Sequence, residues 1–138
     1  YCTKWEYLEH DARYEHPNIS KLMDAKIVYC ADDKYKEKLE NLRQKVKAIL
    51  ETPFSAEDYE KAEKTLKKSE HFYTMAMVSD DILKVYEYAG DVIYYVENAI
   101  AMLNKQYFRY GVKRAYEELN GMSHRPENLC ELIENVIV

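Results

Sequence analysis

The longest stretch with a helical period in this sequence is SDDILKVYEYAGDVIYYVENAIAMLNKQYF, residues 79–108. One apolar row recurs along it at steps of three and four residues: Val85, Tyr88, Val92, Tyr95, Ala99 and Met102. A second row adjoins the first: Ile82, Tyr86, Ala89, Ile93, Val96, Ile100, Leu103 and Tyr107. Two adjoining rows make an apolar surface wider than a surface helix needs. The pattern therefore predicts the central helix of a helical bundle.

A narrow polar strip remains on the same helix. Glu87 and Asp91 are one turn apart on it, Asn98 lies two turns further on, and Tyr94 and Tyr95 flank it. Two carboxylates and an amide in line can bind a cationic or hydroxyl-rich ligand, or accept a proton as a general base. A solvated stripe, paired with the lysine one turn before it, also explains the pattern. Because a polar strip on a buried helix must face water or a polar partner, we take these five residues as candidate substrate-binding residues.

Composition favours a single α-rich domain. The chain has 138 residues, 47% hydrophobic and 33% charged, with only three Gly and three Pro, which favours long regular elements over a β-sandwich or barrel. The formal net charge is −5, and most basic residues alternate with acids. No apolar run reaches the roughly 18 residues of a membrane span. We therefore expect no general affinity for nucleic acid or membranes.

The cysteines and histidines show no familiar site spacing. Cys2, Cys30 and Cys130 are odd in number and widely separated, so we expect reduced thiols and a cytoplasmic location. Zinc sites need ligand pairs at short, regular spacings, and neither His10 nor His16 forms one with a cysteine, so no metal site is predicted. The sequence contains no glycine-rich phosphate loop and no nucleophile-elbow motif. We expect no catalytic residues in this chain.

The two ends of the chain differ in character. Residues 1–31 read as a strand-bearing remnant, with strand candidates at residues 4–8 and at Ile27-Val28-Tyr29. A lone strand pair is marginal by itself, and the chain opens on Tyr1, so we expect a piece cut from a longer protein. Cap and breaker signals predict helices from Asp32-Asp33 to about Thr52, from a Ser55 cap to about Val78, over residues 113–120, and from Pro126 onward. The prediction is mainly α: an up-and-down bundle of about five helices, residues 32–138, behind that remnant.

Two stretches resemble parts of one enzyme family. The first is NISKLMDAKIVYCADDKYKEKLENLRQK, residues 18–45, where Leu22-Met23-Asp24-Ala25 leads into Ile27-Val28-Tyr29. The second is residues 97–138, where a Leu103-Asn104-Lys105-Gln106-Tyr107 phrase is followed by Lys113 and Pro126. In this order the two stretches are similar to the end of the catalytic domain and the following helical domain of the kanamycin and other aminoglycoside nucleotidyltransferases.

The resemblance implies a role for each part. It implies that residues 32–138 form the substrate-binding domain on the acceptor side of an active-site cleft, with a small polar or cationic acceptor and an upstream nucleotidyltransferase domain as partners. It implies magnesium and a nucleoside triphosphate for the parent transferase. The family's Gly-Ser and Asp-x-Asp signature is absent from this chain and is expected upstream of Tyr1, so the chain alone is expected to hold no cofactor and to be inactive.

A helical interaction module without enzymatic activity is the alternative. The chain has 14 tyrosines, several of them crowded along the longest helical stretch. Tyrosine joins apolar area to a hydroxyl group and is common at interfaces as well as in ligand clefts. A homodimer or another protein partner would then cover this cluster.

Overall fold

The computed structural model describes residues 3–137, and these are mainly α-helical, as predicted. Within this range the helices are α1 (Trp5–Asp11), α2 (Ser20–Met23), α3 (Asp33–Glu51), α4 (Ala56–Val78), α5 (Ile82–Leu103), α6 (Ala115–Leu119) and α7 (Leu129–Ile137). A 3-10 turn at Val112–Arg114 leads into α6. The predictions that involve Tyr1 and Cys2 fall outside the described residues.

The predicted starts of α4 and α5 are confirmed by their caps, whereas the predicted end of the central helix near Phe108 is wrong, because α5 ends at Leu103 and Lys105 adopts a positive φ of 49°. The Ser55 hydroxyl accepts a hydrogen bond from the Asp58 N–H (3.2 Å), and the Asp58 carboxylate accepts one from the Ser55 N–H (2.9 Å). This reciprocal pair is a complete capping box at the start of α4. The Asp81 carboxylate accepts a hydrogen bond from the Leu83 N–H (2.9 Å) and caps α5. The chain therefore breaks between α4 and α5 directly after Val78, where α4 was predicted to end.

The prediction of strands in residues 1–31 is wrong. Residues 3–137 contain no β-strand: Lys4 is the N-cap of α1, and residues 5–8 form the start of that helix. Trp5, Leu8 and Ala12 follow each other at steps of three and four and belong to a core shared with α3, so the helical period outweighs the β-propensity of this segment. The other candidate lies in irregular chain between α2 and α3, where Val28 is 97% exposed.

Two apolar cores are built from different ends of the chain. The N-terminal core joins α1, α2 and α3 through Ala12, Tyr14, Ile19, Leu22, Leu42 and Val46. The C-terminal core joins α5, α6 and α7 through Ile100, Ala101, Phe108, Ala115, Leu119, Met122, Leu129 and Ile133. Helix α5 also packs along α4 as a long hairpin. Only residues 97–102 of α5 are continuously buried, so its central position is confirmed for the C-terminal half and not for the first turns.

The turn after α5 connects these parts. The Lys105 ammonium donates to the Thr52 carbonyl (2.9 Å) and lies 3.2 Å from the Asp58 carboxylate. The Tyr14 hydroxyl donates to the Gln106 carbonyl (2.6 Å), and the Phe108 N–H donates to the Pro17 carbonyl (3.0 Å). These bonds hold the loop between α1 and α2 against the hairpin, and this contact creates the cleft described next.

Candidate functional site

A cleft of about 510 Å³ lies between the end of α1, the following loop, α4 and α5. It is called the basic cleft below. Its lining residues are His10, Arg13, Glu15, His16, Lys61, Lys64, Thr65, Lys68, Tyr94, Tyr95 and Asn98. A space of this volume is in the range of small-molecule sites in proteins.

One asparagine ties the loop to α5. The Asn18 amide nitrogen donates to the Tyr94 hydroxyl (3.1 Å) and to the Asn98 side-chain oxygen (3.2 Å). The loop reverses direction at Tyr14, which has a positive φ of 53°, an uncommon conformation for a residue other than glycine. The Asn18 side-chain oxygen is buried and has no hydrogen-bond partner among the described residues. These contacts hold Asn18 behind two residues that line the cleft, Tyr94 and Asn98, and the buried Asn18 oxygen remains an unsatisfied acceptor.

The charge of the lining is mainly positive. Lys61 pairs with Glu57 (3.2 Å) and Glu15 (3.5 Å). Burial acts against its charged form, but these pairs outweigh burial and raise the pKa of Lys61, so it stays charged. The side chains of Arg13 and Lys64 make no ion pair or hydrogen bond within the described part of the chain. Lys64 thus faces the cleft without a charged partner among the described residues, and Arg13 interacts with Glu9 only through space, in a protein whose net charge is −5.

An aromatic wall stands beside these cations. The ring of Tyr95 stacks on Phe72 at 5.5 Å between centroids and 9° between planes. Tyr94 meets Tyr95 edge-on at 5.1 Å, and the Lys68 ammonium lies 5.5 Å from the Tyr95 centroid. Such a wall offers apolar area and polarisable faces next to positive charge.

The predicted site residues are divided between two places. Tyr94, Tyr95 and Asn98 line the basic cleft. Glu87 is exposed and Asp91 half-buried, and neither of them lines it. Asn98 lies seven positions after Asp91 on the helix, or about 10 Å along the axis. The polar strip therefore runs from the solvated part of α5 to the edge of the cleft.

The basic side chains of the cleft were not predicted. Three of them, Lys61, Lys64 and Lys68, follow each other on α4 at steps of three and four and so lie on one helical face. That spacing is a usable signal for a basic helical face. Arg13 and His16 lie on a different segment, and nothing in their local sequence indicates that they face α4.

A group of three possible metal ligands was also missed. The ligand atoms of His10, Asp11 and His16 all lie within 4.8 Å of one another. His16 Nε2 is 3.4 Å from Asp11 Oδ1, and the two histidine rings stack at 5.8 Å. Burial lowers the pKa of His16 although Asp11 acts in the opposite direction, so the imidazole is neutral at pH 7. His10 and His16 are separated by the end of α1 and a chain reversal, and for this reason their spacing resembles no metal motif.

Glu97 is a buried carboxyl group outside the cleft. Its side chain is 6% exposed, one turn from Ile93 and Ile100, which contribute to the C-terminal core. Burial raises the pKa of Glu97 to about 7. This group titrates near neutral pH and links the stability of the fold to pH.

No family model, curated protein or solved structure matches this chain. Among the described residues, no helix is both long and apolar enough to cross a membrane. Functional inference therefore depends on the geometry of the cleft and on the resemblance in sequence.

Proposed function

We propose that this chain is the helical, substrate-binding part of a nucleotidyltransferase-like protein, where it forms the acceptor-side wall of the active-site cleft. The basic cleft carries the proposal. Arg13 and Lys64, neither of them in an ion pair within the described residues, line this cleft together with the Tyr95 ring, and this combination suits a ligand with phosphate groups and a flat base. A nucleoside triphosphate has both, so the proposal gives this chain a contact with the triphosphate in addition to the acceptor-side role, which the resemblance in sequence did not imply.

The polar strip on α5 would supply the acceptor side of the proposed transferase site. Glu87 and Asp91 lie on the helix that also carries Asn98, and their carboxylates are accessible. They suit a polar or cationic acceptor, whose hydroxyl group must approach the phosphate in a nucleotidyl transfer. The separation of about 10 Å along α5 is short enough for the two ligands to meet.

Magnesium does not fit this chain by itself. The sequence has no Asp-x-Asp pair, and the cleft lining contains one carboxylate, Glu15, which pairs with Lys61. Magnesium is bound through carboxylates together with the phosphates of the substrate. The proposal therefore assigns the metal and the chemistry to an upstream nucleotidyltransferase domain. It also keeps the predicted cytoplasmic location, with which the free thiols of Cys30 and Cys130 agree.

Calorimetric titration with magnesium-free inorganic tripolyphosphate tests the proposal. We expect binding that weakens with salt, and a loss of about tenfold in affinity for Arg13→Ala and for Lys64→Ala, since each removes one charge-assisted contact. Lys26→Ala is the matched control, because Lys26 is exposed and lies outside the cleft. Equal affinities for the Lys64 and Lys26 variants would contradict the proposed phosphate site.

A second function, as a dimerisation or interaction module, is favoured by the end of the α4–α5 hairpin. Six large apolar side chains there are 58–74% exposed: Tyr73, Met77, Val78, Ile82, Leu83 and Tyr86. All six lie within residues 73–86, on either side of the turn between α4 and α5, and exposed apolar side chains grouped in this way mark interaction sites. Sedimentation of the wild type and Leu83→Asp tests it: a dimer that Leu83→Asp converts to a monomer supports the module, and a monomeric wild type refutes self-association.

A further inference from the structure

We propose that His10, Asp11 and His16 form a binding site for a divalent transition-metal ion, best suited to Zn²⁺, at the edge of the basic cleft. Their ligand atoms lie within 4.8 Å of one another. In a tetrahedral zinc site with bonds of about 2.0–2.2 Å, ligand atoms are about 3.3–3.6 Å apart. Asp11 Oδ1 and His16 Nε2 are separated by 3.4 Å, which already matches this spacing.

The backbone holds the three residues together without the ion. His10 and Asp11 end α1, and their carbonyls accept hydrogen bonds from the next turn (3.0 and 3.1 Å). The chain then reverses through the left-handed Tyr14, whose hydroxyl is bonded to Gln106, and returns His16 to the end of α1. The positions of the ligands therefore follow from the fold and not from a flexible loop.

The donor set selects the class of metal. Two imidazole nitrogens and one carboxylate oxygen suit Zn²⁺, Co²⁺ or Ni²⁺, whereas Ca²⁺ and Mg²⁺ prefer all-oxygen sites. Three protein ligands leave at least one position for water or an anion. His10 and His16 also line the basic cleft, so an anion there can reach the metal.

The nearby positive charges limit which complex is stable. Arg13 and Lys61 line the same cleft and repel a bare dication. An anionic fourth ligand, such as hydroxide or a carboxylate, removes much of this repulsion.

A hydrogen-bonded Asp11–His16 pair is the rival explanation of the same geometry. His16 Nδ1 accepts a hydrogen bond from the Asn18 N–H (3.2 Å), so in the metal-free protein the proton is on Nε2 and points toward Asp11. A metal on Nε2 requires the proton to be on Nδ1, which breaks the contact with the Asn18 N–H. Metal binding therefore changes the tautomer of His16, whereas a hydrogen-bonded Asp11–His16 pair without metal keeps the proton on Nε2.

Titration of the chelator-treated chain with ZnCl₂ and CoCl₂ at pH 7, in phosphate-free and non-coordinating buffer, tests the site. We expect one ion per chain, visible Co²⁺ absorption of a four- or five-coordinate site, and an Nδ1-protonated His16 in ¹⁵N spectra of the zinc form. His10→Ala and His16→Ala should each weaken Zn²⁺ binding by at least about tenfold. Asp11→Asn keeps the shape of the side chain without its charge and should also weaken binding.

His71→Ala and His124→Ala serve as matched controls, because both histidines lie outside the cluster and their loss should leave the affinity unchanged. Circular dichroism of every variant separates a lost ligand from a lost fold. The proposal is overturned if the double variant of His10 and His16 retains wild-type affinity, if His16 keeps its proton on Nε2 in the zinc form, or if the wild type binds no ion at about 100 μM metal. The titration contains no phosphate or nucleotide, so its result is independent of the proposed transferase role.

Discussion

Raising the pH from 5 to 8 should destabilise this protein through a single buried carboxyl group, Glu97. Its side chain is 6% exposed on α5, and burial raises its pKa from 4.5 to about 7. The folded state therefore binds this proton more tightly than the unfolded chain. The resulting stabilisation is fully present below pH 4.5 and is lost as the pH rises through 7.

The magnitude follows from the shift. A rise of about 2.5 pKa units at 1.36 kcal/mol per unit corresponds to about 3 kcal/mol of unfolding free energy between the two limits. Adjustment of the structure around the charged group makes this an upper value. Glu97→Gln removes the titration, keeps the size of the side chain, and should leave the protein more stable than the wild type at pH 8.

Urea unfolding of wild type, Glu97→Gln and Glu87→Gln at both pH values measures the effect. Glu87 lies on the same helix but is exposed, so its variant should show the same pH dependence as the wild type. Histidines and other groups contribute equally to all three proteins, and the difference between wild type and Glu97→Gln isolates the buried carboxyl group. An identical pH dependence in these two proteins would refute the reasoning.

Three further substitutions test the scaffold, each by urea unfolding at pH 7. Ser55→Ala removes the hydroxyl half of the capping box with Asp58 and should cost about 1 kcal/mol; no loss would mean that the cap does not hold the start of α4. Phe108→Ala empties a fully buried position in the C-terminal core and should cost about 3–5 kcal/mol, so a cost below about 1 kcal/mol would contradict the packing described. Lys105→Met leaves the Asp58 carboxylate and the Thr52 carbonyl without their ammonium donor and should cost about 2–3 kcal/mol, whereas a neutral result would show that the turn after α5 is held by other contacts.

The helices were predictable because their signals are local. Ser55 with Asp58 three residues later marks the start of α4, and Pro53 marks the end of the preceding helix, and both ends lie where expected. The strands were mispredicted because β-propensity depends on a partner. Ile27 and Val28 have no neighbouring strand within the described residues and remain exposed, whereas Trp5 lies in a helix and packs against the core that includes α3.

The site was predictable only along one helix. Periodicity on α5 groups Tyr94 with Asn98, and the structure places both in one cleft. The periodicity does not reveal that Arg13 and His16, about 80 residues earlier in the sequence, line the same cleft. That juxtaposition depends on the reversal at Tyr14 and on the bond from Tyr14 to Gln106, which are tertiary features with no local pattern. The role of the predicted substrate residues stays a prediction.

The most direct test of the proposed function is a map of where a phosphate ligand binds. Two-dimensional ¹H–¹⁵N spectra of the labelled chain, titrated with magnesium-free tripolyphosphate, report this for each backbone amide. The account predicts saturable shifts grouped at residues 10–16, 61–68 and 94–98, which surround the basic cleft. Shifts spread over exposed lysines throughout the chain, or none at millimolar ligand, would contradict it.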